Sequence, residues 1–574
     1  MERRTVLKYM SAWGASVAFP PALWPAPAGS NLIAFNQTGY TQQSEKIASI
    51  QMEVGRDESF QIISEEGGHS VFEGRLTHSF TDSASGDAVS LADFSSVTAS
   101  GKYRFVAQGV RSQPFQIGND VYAHPLMLCM RAFYGQRCGC AVDLGDGYRY
   151  AACHPAGAFH PSSGRAGAAP NHGGWHDAGD YGRYVVNSAI TTGTLLWAWE
   201  LYPRSVQGLS LRIPESGGKL ADYLVEIRWN LQWMLSVQDL DGGVWHKQTS
   251  EHFCGFVMPQ NDKLTSYIIG TGDFPYKSTC ATAGLAAVMA IAARCYREYD
   301  EGFAAVCLAA AKRGFAWAVA HPDVDFVNPP GILTGAYSSE HCNDYILWAS
   351  AELWRTTGDR QYDQAFLHGQ QALSLESAIV APSWTNVASL ACWTYVLGER
   401  KGDGATRARV LAQTRAAAQT LSTRRRSSGY GNTLDASDYV WGSNSVAANH
   451  SVLLLIANYL QPNAQLLDAA LGNLHYLLGR NCFGVCWVTH LGTNPFLHPH
   501  HRPSIADQLQ APWPGLLSGG PNATPADKVA QTLGKLPPMR MWLDDPMAPS
   551  LNEVAINWNA ALVFLLAAVN ALAR

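Results

Sequence analysis

The hydrophobic pattern of this 574-residue chain changes abruptly near residue 118, and that change limits the architectures available to it. From residue 31 to that point, short alternating runs, such as residues 101–106 and 114–117, are separated by turn signals about every ten residues. Alternation with a period of two is typical of strands that bury one face. We therefore predict a small all-β, immunoglobulin-like sandwich over residues 31–117.

Beyond residue 118, Ala- and Leu-rich segments repeat their apolar residues with the helical period of 3.6. About twelve helices are predicted by this pattern, beginning near Tyr122, Tyr184, Leu220, Ser278, Asp300, Asn343, Arg360, Trp384, Gly404, Ser445, Pro462 and Val554. Long loops at 137–176, 239–277 and 480–552 separate several of them, and loops of that length are usually functional. The pattern favours an all-α (α/α)6 barrel over residues 118–574, with an open helical solenoid as the alternative.

The N-terminus has the composition of an export signal. Arg3 and Arg4 precede a modestly apolar stretch at 9–24, and small residues end at Ala28. This pattern predicts a Tat-type signal peptide over residues 1–28 and a periplasmic or secreted protein. No other segment reaches about 18 uninterrupted apolar residues, so no membrane insertion is expected.

Length and charge restrict the number of domains and the class of partner that this chain can have. A chain of 574 residues exceeds what one hydrophobic core usually organises, which agrees with two domains. The formal net charge is −5, from 41 basic and 46 acidic residues, and gives no reason to expect nucleic acid as a partner. The 12 cysteines are scattered through apolar helical stretches, so most are expected to be buried thiols.

Two acidic motifs carry the chemistry. Asp177 and Asp180 stand three apart in a Gly- and aromatic-rich turn before a predicted helix, and Glu553 lies near the C-terminus among apolar and aromatic residues. Hydrolysis of a glycosidic bond with inversion needs a base for water and an acid for the leaving oxygen. An apolar setting raises the pKa of a glutamate and keeps its proton near neutral pH. A capping or solvated role for each acid is the simpler alternative.

Histidines and cysteines form two further groups. The segments 498–504 and 242–247 hold clustered His with Arg or Lys, which suits sugar hydroxyls, zinc or plain surface polarity equally. Cys138, Cys140, Cys153, His154 and His172 form a second group, in which two thiolates and two imidazoles can make a closed Cys2His2 zinc site that ties down a long loop. A disulfide between Cys138 and Cys153 is the rival interpretation.

Together these segments resemble glycoside hydrolase family 9, the cellulase family with an (α/α)6 barrel, in the subgroup preceded by an immunoglobulin-like domain. Residues 133–139 look like the family's first barrel helix, and 177–180 are similar to its catalytic DAGD turn. Residues 486–502 follow its histidine signature, and 542–560 follow its second signature with Asp544 and Glu553 in the acidic positions.

The resemblance implies a role for each matched position. Asp180 is then the base, Asp177 shares the attacking water and Glu553 is the proton donor. Sugar contacts fall to the residues His246, His500, Arg502, Asp544 and, as wall or platform of the groove, Trp441. Relatives with the immunoglobulin-like domain carry a structural zinc at positions that look like Cys138, Cys153, His154 and His172. Calcium is a further candidate, although Asp344-Tyr345 replaces the family's Asp-Glu pair.

The expected activity is that of an inverting endo-β-1,4-glucanase acting on cellulose-type β-glucan, as a monomer and without a catalytic cofactor. Pro549 stands where the family has an aromatic ring, so exo-acting hydrolysis of short cello- or chito-oligosaccharides is the main alternative. A non-catalytic carbohydrate-binding protein is a third interpretation. A zinc hydrolase is disfavoured because a closed four-ligand site leaves no open coordination position.

Overall fold

The computed structural model describes residues 33–52, 58–339, 341–372 and 379–573. The predicted signal peptide at 1–28 lies outside the described residues.

The first strands form a two-sheet sandwich. They are β1 (Ile33–Ala34), β2 (Ile47–Ile50), β3 (Ser59–Ser64), β4 (Ser70–Arg75), β5 (Phe80–Thr81), β6 (Ala88–Asp93), β7 (Gly101–Ala107), β8 (Val110–Arg111) and β9 (Phe115–Ile117). One sheet has the order β1-β2-β6-β5, and the other has β4-β3-β7-β8 with β9 beside β7. Alternate residues of β7, Tyr103, Phe105 and Ala107, face the core between the sheets, as the period-two pattern predicted.

Helices dominate the rest of the chain. They are α1 (Ala123–Gly135), α2 (Val185–Leu201), α3 (Pro203–Val206), α4 (Asp222–Ser236), α5 (Thr279–Tyr296), α6 (Glu301–Ala320), α7 (Asn343–Thr357), α8 (Arg360–Ala372), α9 (Ala388–Leu397), α10 (Gly404–Ser427), α11 (Ser443–Leu460), α12 (Ala464–Leu477), α13 (Arg502–Ala506), α14 (Lys528–Gln531), α15 (Pro549–Asn552) and α16 (Ile556–Leu572). All twelve predicted helices are found among the longer ones.

Six helices form an inner ring, and six others pack outside it. The inner helices are α2, α5, α7, α9, α11 and α16, and the outer ones are α1, α4, α6, α8, α10 and α12. Inner helices such as α5 and α16 are buried nearly all round, which is possible because their sequences are apolar on every side. The (α/α)6 barrel is therefore confirmed, and the solenoid alternative is not.

A small sheet lies within the long loops of the barrel, where no strands were predicted. Beside the hairpin of β10 (Val142–Asp143) and β11 (Arg149–Tyr150), its strands are β12 (Gly157–Phe159), β13 (Ala168–Ala169), β14 (Arg183–Tyr184), β15 (Lys247–Thr249) and β16 (Ser266–Ile269). They pair in the order β13-β12-β16-β15-β14. The sheet joins two of the three long loops. Strands β12 and β13 lie in the first loop, β14 follows that loop directly before α2, and β15 and β16 lie in the second loop.

The sandwich and the barrel share a polar interface. The Gln37 side-chain oxygen accepts the backbone N–H groups of Thr493 and Asn494 at 2.9 and 2.8 Å, and its amide donates to the Gly484 carbonyl at 2.7 Å. Ser49 donates to the carbonyl of Gly429 at 2.6 Å. The Gln37 bonds hold the sandwich against the chain that leads into the predicted histidine motif, and the Ser49 bond holds it against the turn after α10.

Cys280 and Cys342 form a disulfide that links the start of α5 to the residue before α7. The other ten cysteines are free and eight of these are buried, so the prediction that most are buried thiols is confirmed, with Cys280 and Cys342 as exceptions. Within the part of the chain that the structure describes, two helices, α5 and α6, are long and apolar enough to cross a membrane by length and composition alone. That evidence is weak, because core helices of soluble proteins meet the same criteria and 94% of the α5 window is buried inside the barrel.

Candidate active site

The acidic turn lies between buried Trp175 and strand β14. The backbone of this turn is not helical, and helix α2 begins only at Val185. Asp177 is almost fully buried, with its Oδ1 accepting from the Asn187 amide at 2.8 Å and its Oδ2 from the Tyr337 hydroxyl at 2.6 Å. Asp180 accepts the Tyr184 hydroxyl at 3.1 Å through Oδ2.

Gly179 lets this turn approach the segment that contains His500. A Cβ atom at Gly179 would lie 1.9 Å from the carbonyl oxygen of His500, so a side chain there is excluded by backbone. The Gly179 carbonyl accepts the Arg502 backbone N–H at 3.1 Å and its guanidinium at 2.8 Å. The predicted acidic and histidine motifs are thus in direct contact.

Glu553 reaches the same place from the C-terminal end of the chain. It ends the short helix α15, and the Ile556 N–H three residues later donates to the Asp177 carbonyl at 2.9 Å. The Glu553 Oε2 accepts the indole N–H of Trp441 at 3.1 Å. Residues 177–180 and 553 therefore line one site, although more than 370 positions separate them in the sequence.

Burial controls the charge of this site. Desolvation, followed by the charges of Asp180 and Asp177, raises the pKa of Glu553 to about 8, against the lowering influence of Arg502 and Trp441. Desolvation and the Asp180 charge raise the pKa of Asp177 to about 8 as well. Glu553 therefore holds its proton at neutral pH, which is the state that a general acid needs.

A cluster of metal-binding type lies beside the acidic turn. Its members are Cys138, Cys153, His154 and His176, whose ligand atoms all lie within 4.8 Å of one another, and all four residues are buried. Two thiols and two imidazoles at this spacing fit a closed tetrahedral site. The Nε2 of His154 lies 3.3 Å from Asp262 Oδ2, which leaves its Nδ1 to face Cys138 Sγ at 3.6 Å.

One predicted ligand is wrong, because His172 is exposed and His176 takes its place. Gly173 and Gly174 both adopt positive φ, 78° and 79°, so the chain turns sharply between the two histidines. The turn buries Trp175 and directs His176 towards Cys153, whose Sγ lies 3.8 Å from His176 Nε2. The Cys138–Cys153 disulfide is not formed, since both thiols are free.

Comparison with known proteins identifies the architecture. The sequence profile of glycosyl hydrolase family 9 matches residues 122–566, and that of the cellulase N-terminal Ig-like domain matches residues 28–112. The first match covers well over half of the chain. The chain belongs to glycosyl hydrolase family 9. The resemblance drawn from the acidic and histidine motifs is confirmed, and the protein is a glycoside hydrolase.

Relatives of this family 9 hydrolase span nearly the whole chain. Endoglucanase D of Acetivibrio thermocellus is 35% identical over 544 residues, covering 93% of this chain and 83% of the relative. Cellodextrinase of Butyrivibrio fibrisolvens is 31% identical over 556 residues, covering 94% and 99%. A solved zinc-binding triple mutant of the family 9 endoglucanase J30 has a TM-score of 0.86 at 34% identity, covering 92% of this chain and 99% of that one.

One residue predicted to contact sugar, His246, has its ring nitrogens bonded within the protein. His246 is buried and stacks on Phe326 at 3.7 Å, with its ring nitrogens bonded to Ser278 and to the Ala336 carbonyl at 2.7 and 2.8 Å. Burial lowers the pKa of His246 to about 3, so the ring is neutral. It supports the loop before Tyr337 instead of offering a free donor to a sugar, and the prediction of direct contact is wrong here.

Asp544 holds the histidine segment by its backbone. Its two carboxylate oxygens accept the N–H groups of Leu497 and His498 at 2.7 and 2.9 Å, and Oδ1 also accepts the Asn552 amide at 3.0 Å. It therefore connects this segment to the residue before Glu553. The structure shows that Asp544 positions these backbone segments, and its contact with sugar stays a prediction.

Arg502, His500 and Trp441 surround the acids. Arg502 is 2% exposed and donates to the Cys254 carbonyl at 3.1 Å as well as to Gly179. The Nδ1 of His500 bonds the carbonyl of Pro546 at 2.6 Å. Trp441 is 37% exposed, so its ring reaches solvent beside Glu553, and its role as a platform of the groove stays a prediction.

Tyr337 and Asn187 contact Asp177 directly and were not nominated from the sequence. Tyr337 lies in an irregular loop after α6, and the sequence there has no periodic pattern that would single out one aromatic residue. Asn187 lies in the first turn of α2, seven residues after Asp180, and the backbone over 181–184 is not helical, so no helical spacing marked it.

Proposed function

We propose that this family 9 hydrolase is an exported, inverting endo-β-1,4-glucanase acting on cellulose-type β-glucan. The observation that carries this proposal is the meeting of Asp177, Asp180 and Glu553 in one site, with burial keeping Glu553 protonated. The relative named endoglucanase D, which matches along 93% of this chain, supports the endo-glucanase assignment.

Each acid has one role in the proposed reaction. Glu553 transfers its proton to the glycosidic oxygen, so that the leaving sugar departs as an alcohol. Asp180 accepts a proton from water as that water attacks the opposite face of the anomeric carbon, and Asp177 shares the water. Inversion then requires about 6.5–9.5 Å between the base and acid carboxyl groups, which leaves room for the water.

We propose a structural zinc at Cys138, Cys153, His154 and His176. The donor set supports zinc, and the four protein ligands leave no open position for substrate. When bound, the ion would tie the loop after α1 to the acidic turn through His176, the residue before Asp177. Calcium remains a prediction, and the described residues hold no second group of three or more His, Cys, Asp or Glu side chains placed to bind an ion.

The relative named cellodextrinase favours a second candidate, an exo-acting hydrolase of short oligosaccharides. Pro549, in place of an aromatic ring, begins the helix that leads to Glu553. Viscosity and product lengths distinguish the two candidates. An endo-acting enzyme lowers the viscosity of soluble β-glucan long before it releases much reducing sugar. An exo-acting enzyme releases short products from the outset.

Location and assembly belong to the same proposal. The sequence pattern at 1–28 supports export by the Tat route to the periplasm or beyond, and we propose that the protein works as a monomer on a β-glucan chain or its oligosaccharides. Zymography of cell fractions and light scattering of the purified protein test these two points.

The central test compares the wild type with Asp180→Asn and Glu553→Gln. Each variant is expected to lose nearly all hydrolysis of soluble β-glucan while its circular dichroism stays unchanged, and NMR of fresh wild-type products is expected to show the α-anomer. Full activity in either variant, or an initial β-anomer, would remove the assignment. Absence of reducing-sugar release by the wild type would favour a binding protein.

A further inference from the structure

We infer that Trp441 positions the general acid by donating its indole N–H to the Glu553 carboxyl, a role separate from stacking on sugar. The inference rests on the proposed function. Its basis is the 3.1 Å contact between Trp441 Nε1 and Glu553 Oε2 in a ring that is also 37% exposed. One side chain therefore meets both the solvent-filled groove and the acid.

The contact is held from both sides by backbone. Gly519 donates its N–H to the Glu553 carbonyl at 2.8 Å, and its own carbonyl accepts the Asn444 N–H at 3.0 Å. Ser443 donates to the Pro521 carbonyl at 2.6 Å. The segment 518–521 thus connects the turn that carries Trp441 to the residue that carries the acid.

Gly442 fixes the direction of this turn. It adopts φ 86°, and a Cβ atom there would lie 2.8 Å from the ring of Trp558. The same ring lies 3.1 Å from the place of a Cβ at Gly519. Two glycines therefore let Trp558 pack tightly beneath both ends of the contact, and small shifts of Trp441 relative to Glu553 are resisted.

The contact suits the chemistry of an acid. Among the described residues, no second side chain donates a hydrogen bond to the Glu553 carboxyl, so Trp441 occupies Oε2 and leaves Oε1 as the proton-bearing atom. As the proton leaves, negative charge develops on the carboxylate, and an N–H bond to an ionised acceptor is stronger than one to a neutral acceptor. Trp441 therefore favours the transition state over the ground state.

Other charged and titratable groups also act on Glu553 and set the background for a pH measurement. They are Asp177, Asp180, Tyr337, Arg502 and His500, whose backbone pairs with that of Glu553. None of them changes when Trp441 is replaced. A shift of the basic limb of the pH profile in such a variant therefore reports the lost indole N–H.

The kinetic test compares Trp441→Phe with Trp487→Phe. Trp487 is a fully buried indole whose N–H has no acceptor among the described residues, so it controls for loss of ring size alone. For Trp441→Phe, kcat on cellopentaose is expected to fall about tenfold or more, which corresponds to the loss of a hydrogen bond to a charged group. The basic limb is expected to move to higher pH, and Trp487→Phe is expected to move neither.

A substrate whose leaving group needs no proton distinguishes a positioning role of Trp441 from stacking of its ring on sugar. The loss in Trp441→Phe is expected to shrink to about twofold or less on 2,4-dinitrophenyl β-cellobioside, whose phenolate needs no proton to depart. An equal loss on both substrates with an unmoved basic limb would show that Trp441 only stacks on sugar. Unchanged kinetics in Trp441→Phe would also overturn the inference.

A spectroscopic measurement keeps this test independent of activity. In 15N-tryptophan-labelled protein, the indole resonance that disappears in Trp441→Phe is expected to titrate with Glu553 in the wild type and to lose that titration in Glu553→Gln. A pH-independent wild-type resonance would refute the contact. A wild type that titrates but hydrolyses no β-glucan would sustain the contact and refute the proposed function instead.

Discussion

Replacing His176 by Ala is expected to abolish zinc binding, whereas replacing His172 by Ala is expected to leave it unchanged. The two histidines lie four positions apart, but only His176 lies within the cluster of ligand atoms, and His172 is exposed. The pair makes a matched comparison, since the chemical change is the same in both variants.

The size of the effect follows from linkage between binding and folding. A metal that binds only the folded state at a free concentration a thousand times its Kd stabilises that state by about 4 kcal/mol. His176→Ala removes one of four ligands and should forfeit most of this stabilisation, with a fall in Tm of about 3–4 °C for a chain of this length. His172→Ala removes an exposed ring, for which a change within about 0.5 kcal/mol is expected.

The assay measures bound zinc per protein by elemental analysis and Tm with and without a chelator. Wild type and His172→Ala should each hold one zinc and lose stability in chelator, whereas His176→Ala should hold none and show no response. Zinc retained by His176→Ala but lost from His172→Ala would refute the ligand assignment drawn from the glycine turn.

Three further outcomes are expected. Asp262→Asn should weaken zinc binding about 10- to 100-fold in a chelator competition, because the carboxylate that orients His154 is lost, and an unchanged affinity would contradict that role. Tyr337→Phe should lower kcat about tenfold by removing a bond to Asp177, with unchanged KM; a change in KM alone would instead indicate a sugar contact. Because the reactive form of Glu553 is protonated and its pKa is raised to about 8, kcat should decline as pH rises through about 8, and activity undiminished at pH 10 would show another proton donor.

The fold was predictable where long periodic patterns exist. The helices beginning at Ala123, Glu301 and Gly404 start within one residue of their predicted positions. Asp300 and Asp403 precede the last two and cap them by accepting the N–H groups of Phe303 and Thr406. The strands β12 to β16 were missed, since runs of two to four residues hold no measurable alternation. Their pairing is decided by loops that meet only after the barrel has formed.

The sequence predicted the site residues that lie in recognisable motifs, but not those whose role depends on how the chain folds around them. Asp180 and Glu553 carry recognisable surroundings in the sequence, and the structure brings their segments together. The choice between His172 and His176 depended on the φ angles of two glycines. His246 has the residue type of a sugar ligand, but burial against Phe326 uses its ring nitrogens within the protein.

The bonds from Gln37 to Thr493 and Asn494 have a consequence for how the molecule comes apart. The change of pattern near residue 118 divides the chain into two kinds of structure, but the first half holds the segment that leads to His500 and Arg502. Strain applied to the sandwich would therefore reach the backbone that carries His500 and Arg502. We expect the sandwich and the barrel to unfold as one cooperative unit, so that damage to the sandwich lowers activity without any change among the acidic residues.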